Sequence, residues 1–359
     1  MVYHTPDRNY GCRVSLNYMY RGHHLAVLEN EILRVTLLLS KGADIVEFLY
    51  KPLDVDFMWR TPWGIRHAQT MAAVPTDPAL TFLDYYPGGW QELLPNGGDV
   101  ANVNDVLYGL HAETANLPWD ATILQDRPER ISVKLTVRTV RTPLHLEKTL
   151  SLTSGSPILE ISERLTNESD QDIPVSWGHH IAFGEPFLNE HCRIDCGAQK
   201  IIGHPEYYSP TYRMKLDQET AYPYYPSVND EMVDVRLIPP PSIQVDDMLY
   251  FIDFTSTWFG LTDTKRKVGF GMIWSQDVFP YLWYWQSFRG GGAYPWYGRC
   301  YNIALEPFTS LTCAGLETAI ENGTALMLQG NEVKQATMKA IVYTGLDRVA
   351  GISPEGTVR

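Results

Sequence analysis

Three stretches decide the fold class, and they follow one another closely: ISVKLTVRTV at Ile131–Val140, LHLEKTLSL at Leu144–Leu152 and ILEISERL at Ile158–Leu165. In the first stretch, apolar side chains occupy every second position, and Ser, Lys, Thr and Arg occupy the positions between them. This alternation is typical of an antiparallel strand with one buried face. Three such segments with short separations predict a β-meander.

Similar segments continue along most of the chain. Further strands are predicted at Leu33–Leu39, Val268–Trp274, Tyr301–Leu305, Ala325–Leu328 and Met338–Tyr343. Helical periodicity is scarce, and only Leu316–Glu321 fits a short helix. We therefore predict an all-β fold, a large antiparallel β-sandwich, in a single domain over residues 1–359 with its core at about residues 25–345.

The chain is acidic and long enough to need no covalent staples. It has 359 residues, with 29 Lys+Arg against 42 Asp+Glu, so the formal net charge is −13. A chain of this size buries roughly 75% of the surface that its unfolded form exposes. Nucleic acids and anionic membranes require a basic surface, so we predict neither as a partner. The sequence does not indicate an oligomeric state.

Five cysteines bear on the compartment: Cys12, Cys192, Cys196, Cys300 and Cys313. An odd number of cysteines, behind an N-terminus without a signal-peptide pattern, predicts reduced thiols in the cytoplasm. Cys192 and Cys196 lie near three histidines in the sequence, but the spacing fits no compact zinc pattern. We predict no metal site.

Aromatic residues are unevenly distributed. The chain contains 12 Phe, 10 Trp and 21 Tyr, which is 12% of its residues, and nine of them lie between Tyr281 and Tyr301. Flat apolar rings with a polar tip suit sugars, whose ring faces are apolar and whose rims need hydrogen bonds. Packing between two sheets is the simpler explanation for any single Trp. For the cluster as a whole, we expect at least one ring to face a ligand.

Three segments combine polar side chains with Gly and aromatic residues, and we predict them as loops that carry function. They are Tyr85–Gly98 with Gly109–Glu113, Pro174–Gly184, and Pro280–Pro307. Because His and Glu form a sensible acid–base couple, His111, His180 and Glu306 are candidates for chemistry. Glu306 interrupts an apolar strand just before Pro307, so we expect its carboxylate at a strand end, in water or held for a purpose.

Other chemistries lack support in the sequence. It contains no Gly-x-Ser-x-Gly elbow, no Walker loop and no Gly-x-Gly-x-x-Gly after a strand, and Gly290–Gly292 is predicted as a flexible loop. Paired carboxylates for glycoside hydrolysis stay open, because their spatial separation is invisible here. Four arginines could meet an anionic group, although surface or salt-bridge roles explain them more simply: Arg60, Arg66, Arg289 and Arg299.

These segments together resemble the galactose mutarotase-like superfamily, the aldose 1-epimerases and their relatives. The resemblance is carried by Leu28–Glu31 with the strand to Leu39 and Gly42–Ile45, by Gly109–Glu113, by His180–Phe183, by Val245–Tyr250 and by Ile303–Pro307. It covers about residues 25–345. The segments Gly88–Gln91 and Trp283–Gln286 differ from the well-studied galactose enzymes, which indicates a divergent branch.

The resemblance implies an enzyme that interconverts the α and β anomers of a sugar, without a metal or a redox cofactor. It implies Glu306 as the catalytic base and His180 as the general acid, with His179 as the alternative one residue away. It implies substrate binding by His111, by Asp246 or Asp247, and by a Trp face at Trp90, Trp285 or Trp296. Gln91, His179 and Gln286 complete the predicted substrate-binding set.

Two other functions stay open on the same fold. The protein could be a non-catalytic carbohydrate-binding protein, or another sugar isomerase or lyase, because a fold does not determine a function. The sequence does not indicate which sugar is bound.

Overall fold

A computed structural model describes residues 8–73, 77, 79–206 and 209–359. Its strands in chain order are β1 Arg13–Tyr20, β2 His23–Glu29, β3 Leu33–Leu38, β4 Asp44–Tyr50, β5 Val55–Asp56, β6 Trp90–Leu93, β7 Ala101–Val103, β8 Val106–Tyr108, β9 Asp120–Asp126, β10 Arg130–Arg138, β11 Leu144–Thr153, β12 Ile158–Asn167, β13 Ile173–Val175, β14 Gly178–Gly184, β15 Cys192–Cys196, β16 Lys200–Gly203, β17 Glu219–Ala221, β18 Tyr224–Pro226, β19 Met232–Asp234, β20 Val245–Ile252, β21 Trp258–Asp263, β22 Val268–Trp274, β23 Tyr281–Phe288, β24 Tyr301–Phe308, β25 Leu326–Leu328 and β26 Val333–Thr344.

Helices are short and few in the described ranges. The α-helices are α1 Ala68–Ala73, α2 Thr81–Tyr85 and α3 Leu316–Glu321, and Lys51–Leu53 and Thr114–Asn116 form 3-10 turns. The predicted helix at Leu316–Glu321 is therefore confirmed. The helices in the described part of the chain are not long and apolar enough to cross a membrane.

Two large sheets form the body of the molecule. The site sheet has twelve strands in the order β1-β2-β3-β4-β6-β14-β24-β23-β20-β16-β17, with β5 added beside β4. The back sheet has eight strands in the order β15-β21-β22-β26-β12-β11-β10-β9. The pairings between neighbouring strands in both sheets are antiparallel. Three further two-stranded pairs are β13–β25, β18–β19 and β7–β8.

The predicted meander forms the middle of the back sheet. Strands β10, β11 and β12 are neighbours, and the register aligns Val133 with Leu150 and Leu150 with Ile161. All three side chains are buried. The alternating apolar positions therefore make one continuous apolar face, as period-two patterning requires. The prediction of an all-β antiparallel sandwich is confirmed.

Aromatic contacts join the facing surfaces of the two sheets. Phe48 on β4 and Phe183 on β14 meet Phe270 on β22, with ring centroids 5.2 Å and 5.0 Å apart. We call the surface of the site sheet that meets the back sheet its core face, and the opposite surface its cavity face. Phe183 lies on the core face. Because side chains alternate along a strand, Ala182 and His180 lie on the cavity face.

All five cysteines are free thiols. Cys192 and Cys196 lie at the two ends of β15, at the edge of the back sheet.

Candidate active site

Three neighbouring strands of the site sheet bring the candidate residues together. The register pairs Gly178 with Phe308 and Ala182 with Ala304, which places His180 of β14 opposite Glu306 of β24. On the other side of β24, Trp283 of β23 pairs with Glu306. Strand β24 continues through Pro307 to Phe308. Glu306 therefore lies inside a strand, and the prediction that it lies at a strand end is wrong.

The same correction applies to the loop prediction for the polar and aromatic segments. Trp90–Leu93, Gly178–Gly184 and Tyr281–Phe288 are strands in the structure. These strands are buried on both faces, so they lack the polar-and-apolar alternation that marks a half-exposed strand.

His180 and Glu306 form an open pair on the cavity face. The Nε2 atom of His180 lies 3.9 Å from Oε1 of Glu306. The two residues are 4% and 2% exposed. The hydroxyl of Tyr86 lies 3.3 Å from Nδ1 of His180 and holds the far side of the ring. Oε2 of Glu306 has no hydrogen-bond partner among the described residues. The pair can therefore exchange protons with a third molecule.

Burial disfavours charge on both members of this pair. It lowers the pKa of His180 to about 4. It also raises the pKa of Glu306 well above its ordinary value. Desolvation always favours the neutral form, which is the imidazole for His and the carboxylic acid for Glu. Displaced titration of both groups in a cavity is typical of an acid–base site.

His111 lies beside this pair as a hydrogen-bond donor. The backbone N–H of Gly98 donates to Nδ1 of His111 at 2.8 Å. The neutral ring must then carry its proton on Nε2. Burial, followed by the nearby His180, holds the pKa of His111 well below its ordinary value. The two imidazole centroids are 5.5 Å apart.

A cavity of about 760 Å³ opens in front of these three residues. This volume lies within the range of roughly 300–1,000 Å³ for small-molecule sites. None of its described lining residues is Lys or Arg. The lining residues are Phe82, Leu83, Tyr86, Gly98, Asp99, Leu110, His111, His180, His204, Glu206, Ser209, Pro210, Asp246, Met248, Trp283, Trp285, Gly291, Gly292, Ala293, Tyr294, Pro295, Trp296, Glu306 and Cys313.

Indole rings form one wall of the cavity. Trp296 lies with its ring centroid 5.6 Å from Trp285 and 5.6 Å from Trp59, and it stacks on Trp63 at an interplanar angle of 11°. On β23 and β24, the aromatic cluster between Tyr281 and Tyr301 splits by strand parity, whereas Tyr294 and Trp296 lie in the irregular segment between these two strands. Trp283, Trp285, Tyr294 and Trp296 line the cavity, whereas Tyr284 and Tyr301 lie on the core face.

The cavity brings together six of the eleven predicted site residues, which are His111, His180, Asp246, Trp285, Trp296 and Glu306. Trp90 and His179 lie on the core face, because β6 pairs Trp90 with Ile181 and Glu92 with His179. Gln91 shares the cavity face with His180, but its amide donates to the carbonyl of Gly88 at 2.7 Å, away from the cavity. The structure therefore places Trp90, His179 and Gln91 outside the cavity lining.

Asp247 and Gln286 also lie outside the cavity. The register pairs them on the core face of β20 and β23, one residue out of phase with Asp246 and Trp285. Arg213 binds both, through Nε to Asp247 at 2.5 Å and through NH2 to Gln286 at 3.2 Å. Of the two aspartates left open by the resemblance, only Asp246 lines the cavity.

His179 belongs to a buried charged cluster, which we call the inner network: His179, Glu163, Glu92, Lys148, Trp90 and Trp177. The ligand-type atoms of Glu92, Glu163 and His179 lie within 4.8 Å of one another, as in many metal sites. Here Lys148 supplies the positive charge, with Nζ 2.8 Å from Oε2 of Glu92. Trp177 and Trp90 donate to Oε1 of Glu92 and Nδ1 of His179, at 2.9 Å and 3.0 Å. Protein donors therefore already occupy most of the atoms that would bind a metal.

Several cavity residues carry no individual signal in the sequence. Tyr86 holds His180, but the sequence marks its segment only as polar and Gly-rich. His204 and Cys313 line the far end, where Nδ1 of His204 lies 2.7 Å from the hydroxyl of Tyr250. No local pattern marks them, because they are distant in sequence and meet only in the fold.

The four arginines considered for an anionic group do not line the cavity. Two of them have other partners. Arg60 lies 3.4 Å from Asp56, and Nε of Arg66 donates to the carbonyl of Asp84 at 2.5 Å.

Comparison with solved structures agrees with this architecture. A candidate aldose 1-epimerase from Klebsiella pneumoniae aligns at a TM-score of 0.68 with 15% identity, over 92% of this chain and 83% of that one. A galactose mutarotase-like protein from Clostridium acetobutylicum aligns at 0.63 with 15% identity, over 93% and 99%. A galactose mutarotase related enzyme from Lactobacillus acidophilus aligns at 0.60 with 16% identity, over 89% and 97%.

At such low identity these alignments establish the fold. Among curated proteins, no significant match to the chain is found. The chain has the galactose mutarotase-like fold. Residues 20–342 match the family described as a domain of unknown function, DUF4432, and the chain belongs to that family.

Proposed function

We propose that the protein is an aldose 1-epimerase-like enzyme, which interconverts the α and β anomers of a sugar by opening and closing its ring. One observation carries the proposal: His180 and Glu306 face each other at 3.9 Å on the floor of an aromatic-walled cavity, and one oxygen of Glu306 has no partner among the described residues. Ring opening needs one group that removes a proton and one that donates a proton, and this pair supplies both.

In the direction that the family resemblance implies, Glu306 takes the proton from the anomeric hydroxyl and His180 donates a proton to the ring oxygen. The bond between C1 and the ring oxygen breaks, its electron pair stays on that oxygen, and C1 becomes an aldehyde. Rotation about the C1–C2 bond presents the other face of the aldehyde. Reclosure returns both protons and inverts C1.

The pKa directions bear on where the reaction starts. Burial favours neutral His180 and protonated Glu306 in the ligand-free cavity. From that state, His180 takes the anomeric proton and Glu306 donates to the ring oxygen. Ring opening converts neutral His180 and protonated Glu306 into protonated His180 and ionised Glu306, and ring opening from the second state restores the first. The net reaction is therefore the same from either protonation state. Each residue must act as both donor and acceptor over a full turnover.

The rest of the cavity supports an uncharged sugar as substrate. His111 offers an N–H donor and Asp246 a carboxylate for hydroxyl groups, while Trp285 and Trp296 offer apolar faces. None of the described lining residues is a cation that could balance a phosphate, sulfonate or carboxylate. We place the activity in the cytoplasm, because all five cysteines are free thiols.

Saturation-transfer NMR between α and β anomers, over a panel of free sugars, tests this proposal. Glu306→Gln and His180→Asn should each slow exchange by about 10²–10⁴-fold, with an unchanged near-ultraviolet circular dichroism spectrum. Glu160→Gln and His191→Asn make the same chemical changes away from the cavity, at a half-exposed and an exposed position. These two control variants should exchange the sugar at the wild-type rate.

The same experiment separates the alternative functions. Exchange without a net product supports an aldose 1-epimerase, and a new product indicates another isomerase or a lyase. Binding of a sugar without exchange indicates a carbohydrate-binding protein. Near-wild-type exchange by either cavity variant would overturn the assignment of the acid–base pair.

A further inference from the structure

The buried histidines His111, His179 and His180 differ in the group that faces Nδ1 of each ring. Nδ1 of His111 accepts from the backbone N–H of Gly98 at 2.8 Å. Nδ1 of His179 accepts from the indole N–H of Trp90 at 3.0 Å. A backbone or indole N–H can only donate, so both of these neutral rings carry their proton on Nε2. Neither ring therefore has a free lone pair at Nε2 with which to take a proton from a sugar hydroxyl.

His180 has a different kind of partner at Nδ1. This atom lies 3.3 Å from the hydroxyl of Tyr86, and a hydroxyl can accept a hydrogen bond as well as donate one. Burial lowers the pKa of His180, and a hydrogen bond from the ring to the backbone carbonyl of His180 itself partly offsets this effect. A carbonyl can only accept, and Nδ1 is the ring nitrogen nearer to the backbone. The surroundings of Nδ1 therefore favour a proton on this atom.

Packing fixes the hydroxyl of Tyr86 beside His180. Tyr86 is 1% exposed, and its ring stacks on Phe82 with centroids 4.9 Å apart. The rings of Trp59 and Trp296 lie at 5.8 Å and 6.3 Å from it. Burial, followed by the charge of Glu306, raises the pKa of Tyr86 well above its ordinary value. The phenol therefore stays neutral, and its oxygen keeps a lone pair that can accept from the N–H of a neighbouring ring.

On the basis of the proposed function, we propose that Tyr86 is a positioning residue that keeps the proton of neutral His180 on Nδ1. The Tyr86 oxygen accepts from Nδ1–H, which leaves the lone pair of Nε2 for the anomeric hydroxyl of the sugar. Nε2 is also the ring nitrogen that lies 3.9 Å from Glu306. When Nε2 takes the anomeric proton, the ring becomes an imidazolium, and Nδ1–H stays bonded to Tyr86. Tyr86 itself neither gains nor loses a proton during the turnover.

The contact between Tyr86 and His180 strengthens when His180 becomes charged. A hydrogen bond from a charged donor is roughly twice as strong as one between neutral groups. The Tyr86 oxygen therefore stabilises the protonated ring more than the neutral ring, in a cavity where burial opposes that charge. An interaction that grows as the reaction proceeds acts on kcat more than on KM.

Nitrogen NMR of the ligand-free protein tests the position of the proton directly. With nitrogen-15-labelled histidine, correlations between ring protons and ring nitrogens distinguish a protonated nitrogen from an unprotonated one. The signals lost in His111→Asn, His179→Asn and His180→Asn assign the three rings. At neutral pH, His180 should carry its proton on Nδ1, whereas His111 and His179 in the same spectrum should carry theirs on Nε2. Tyr86→Phe should shift the proton of His180 toward Nε2.

Anomer exchange supplies the second readout. Tyr86→Phe removes only the hydroxyl and should lower kcat by about 10–100-fold, the range for a hydrogen bond to a charged group, with KM within about twofold of wild type. Tyr343→Phe is the matched control, because that buried hydroxyl lies 2.6 Å from Oγ1 of Thr262 on the back sheet. Tyr343→Phe should exchange the sugar at the wild-type rate. Both variants should keep the near-ultraviolet circular dichroism spectrum of the wild type.

Two results would overturn the inference while the proposed function stands: His180 of the ligand-free wild type carries its proton on Nε2, or Tyr86→Phe exchanges the sugar at the wild-type rate. The first result needs no variant, so it is decisive even if Tyr86→Phe does not fold. If the wild type exchanges no sugar, the proposed function fails, and the NMR measurement still decides the role of Tyr86. A proton on Nδ1 of His180 that shifts toward Nε2 in Tyr86→Phe would keep that role, and an unchanged position would remove it.

Discussion

Strand β14 presents two consecutive histidines to opposite sides of the site sheet, and each meets a glutamate. His179 on the core face lies 3.2 Å from Glu163, and His180 on the cavity face lies 3.9 Å from Glu306. Both pairs are buried. From residue types and burial alone, the two pairs are equivalent.

The two pairs differ in the residues that contact them. Trp90 donates to Nδ1 of His179, so Nε2 carries the proton and donates to Glu163. Behind this contact, burial would raise the pKa of Glu92, but Lys148 and His179 outweigh it and lower that pKa. Burial, followed by the charge of Glu92, raises the pKa of Glu163. Burial alone raises the pKa of Glu306, which has no cation comparable to Lys148. In the inner network, Lys148 balances the charge of Glu92 and both ring nitrogens of His179 have protein partners, although Oε1 of Glu163 has no hydrogen-bond partner among the described residues. The cavity pair lacks a cation, and Oε2 of Glu306 is left without a partner among the described residues beside an open cavity.

The largest expected effect comes from removing the cation of the inner network. Lys148→Met leaves Glu92 and Glu163 without compensation in the core, and loss of one partner of a buried ion pair costs about 3–5 kcal/mol. Urea unfolding, followed by circular dichroism, measures the free energy of unfolding. Lys134→Met on the neighbouring strand breaks a half-exposed pair with Glu147 and should cost at most about 1 kcal/mol. If both variants lost the same free energy of unfolding, the charge of Lys148 would not be needed to balance Glu92 and Glu163.

A pair of identical substitutions at adjacent positions tests the comparison next. His179→Asn should lower the free energy of unfolding by about 1–3 kcal/mol, because it disrupts hydrogen bonds to Trp90 and Glu163. Exchange per folded molecule should stay within about threefold of wild type. His180→Asn should do the reverse, with little change in stability and a large loss of exchange. If His179→Asn abolished exchange in a fully folded protein, the division between the two faces would fail.

The contrast between the two histidines also shows what the sequence could predict. Alternation in Ile131–Val140 and its two neighbours identified the meander, since those strands are exposed on one face. Strand β14 is buried on both faces and carries polar residues on both, so no periodicity separates His179 from His180. For the same reason, periodicity does not distinguish Asp246 from Asp247 or Trp285 from Gln286, because β20 and β23 are also buried on both faces or nearly so.

Residues from connecting segments lie beyond local patterns altogether. Tyr86 reaches His180 across 94 positions of the chain, and Tyr250 reaches Cys313 across 63. Such contacts depend on the order of strands in the site sheet, in which β14 is the neighbour of β24 although the two strands are far apart in sequence. Residue chemistry already makes His180 and Glu306 candidates, the resemblance to a known family implies their roles, and strand parity separates most of the remaining candidates.

The smallest expected effect is on the pH dependence of stability, which should change in opposite directions when Glu306 and His180 are substituted. The folded-state pKa of Glu306 is raised, so its contribution to stability is present below pH 4.5 and is lost as the pH rises. Glu306→Gln removes this loss, and its melting temperature should gain on wild type as the pH increases. The folded-state pKa of His180 is lowered to about 4, so the unfolded chain takes up a proton near pH 6.5 and the folded protein does not.

His180→Asn should therefore gain on wild type in the opposite direction, by about 1 kcal/mol as the pH falls from 7 to 5.5. Differential scanning calorimetry across this range measures both trends, with Glu160→Gln and His191→Asn as controls outside the cavity. The contributions of other titrating groups cancel between variant and wild type. Parallel trends for the two variants would contradict a pair in which burial neutralises both partners. Opposite trends for the two variants would support a site that keeps both groups neutral when it is empty. A bound sugar would then be the molecule through which a proton passes from one group to the other.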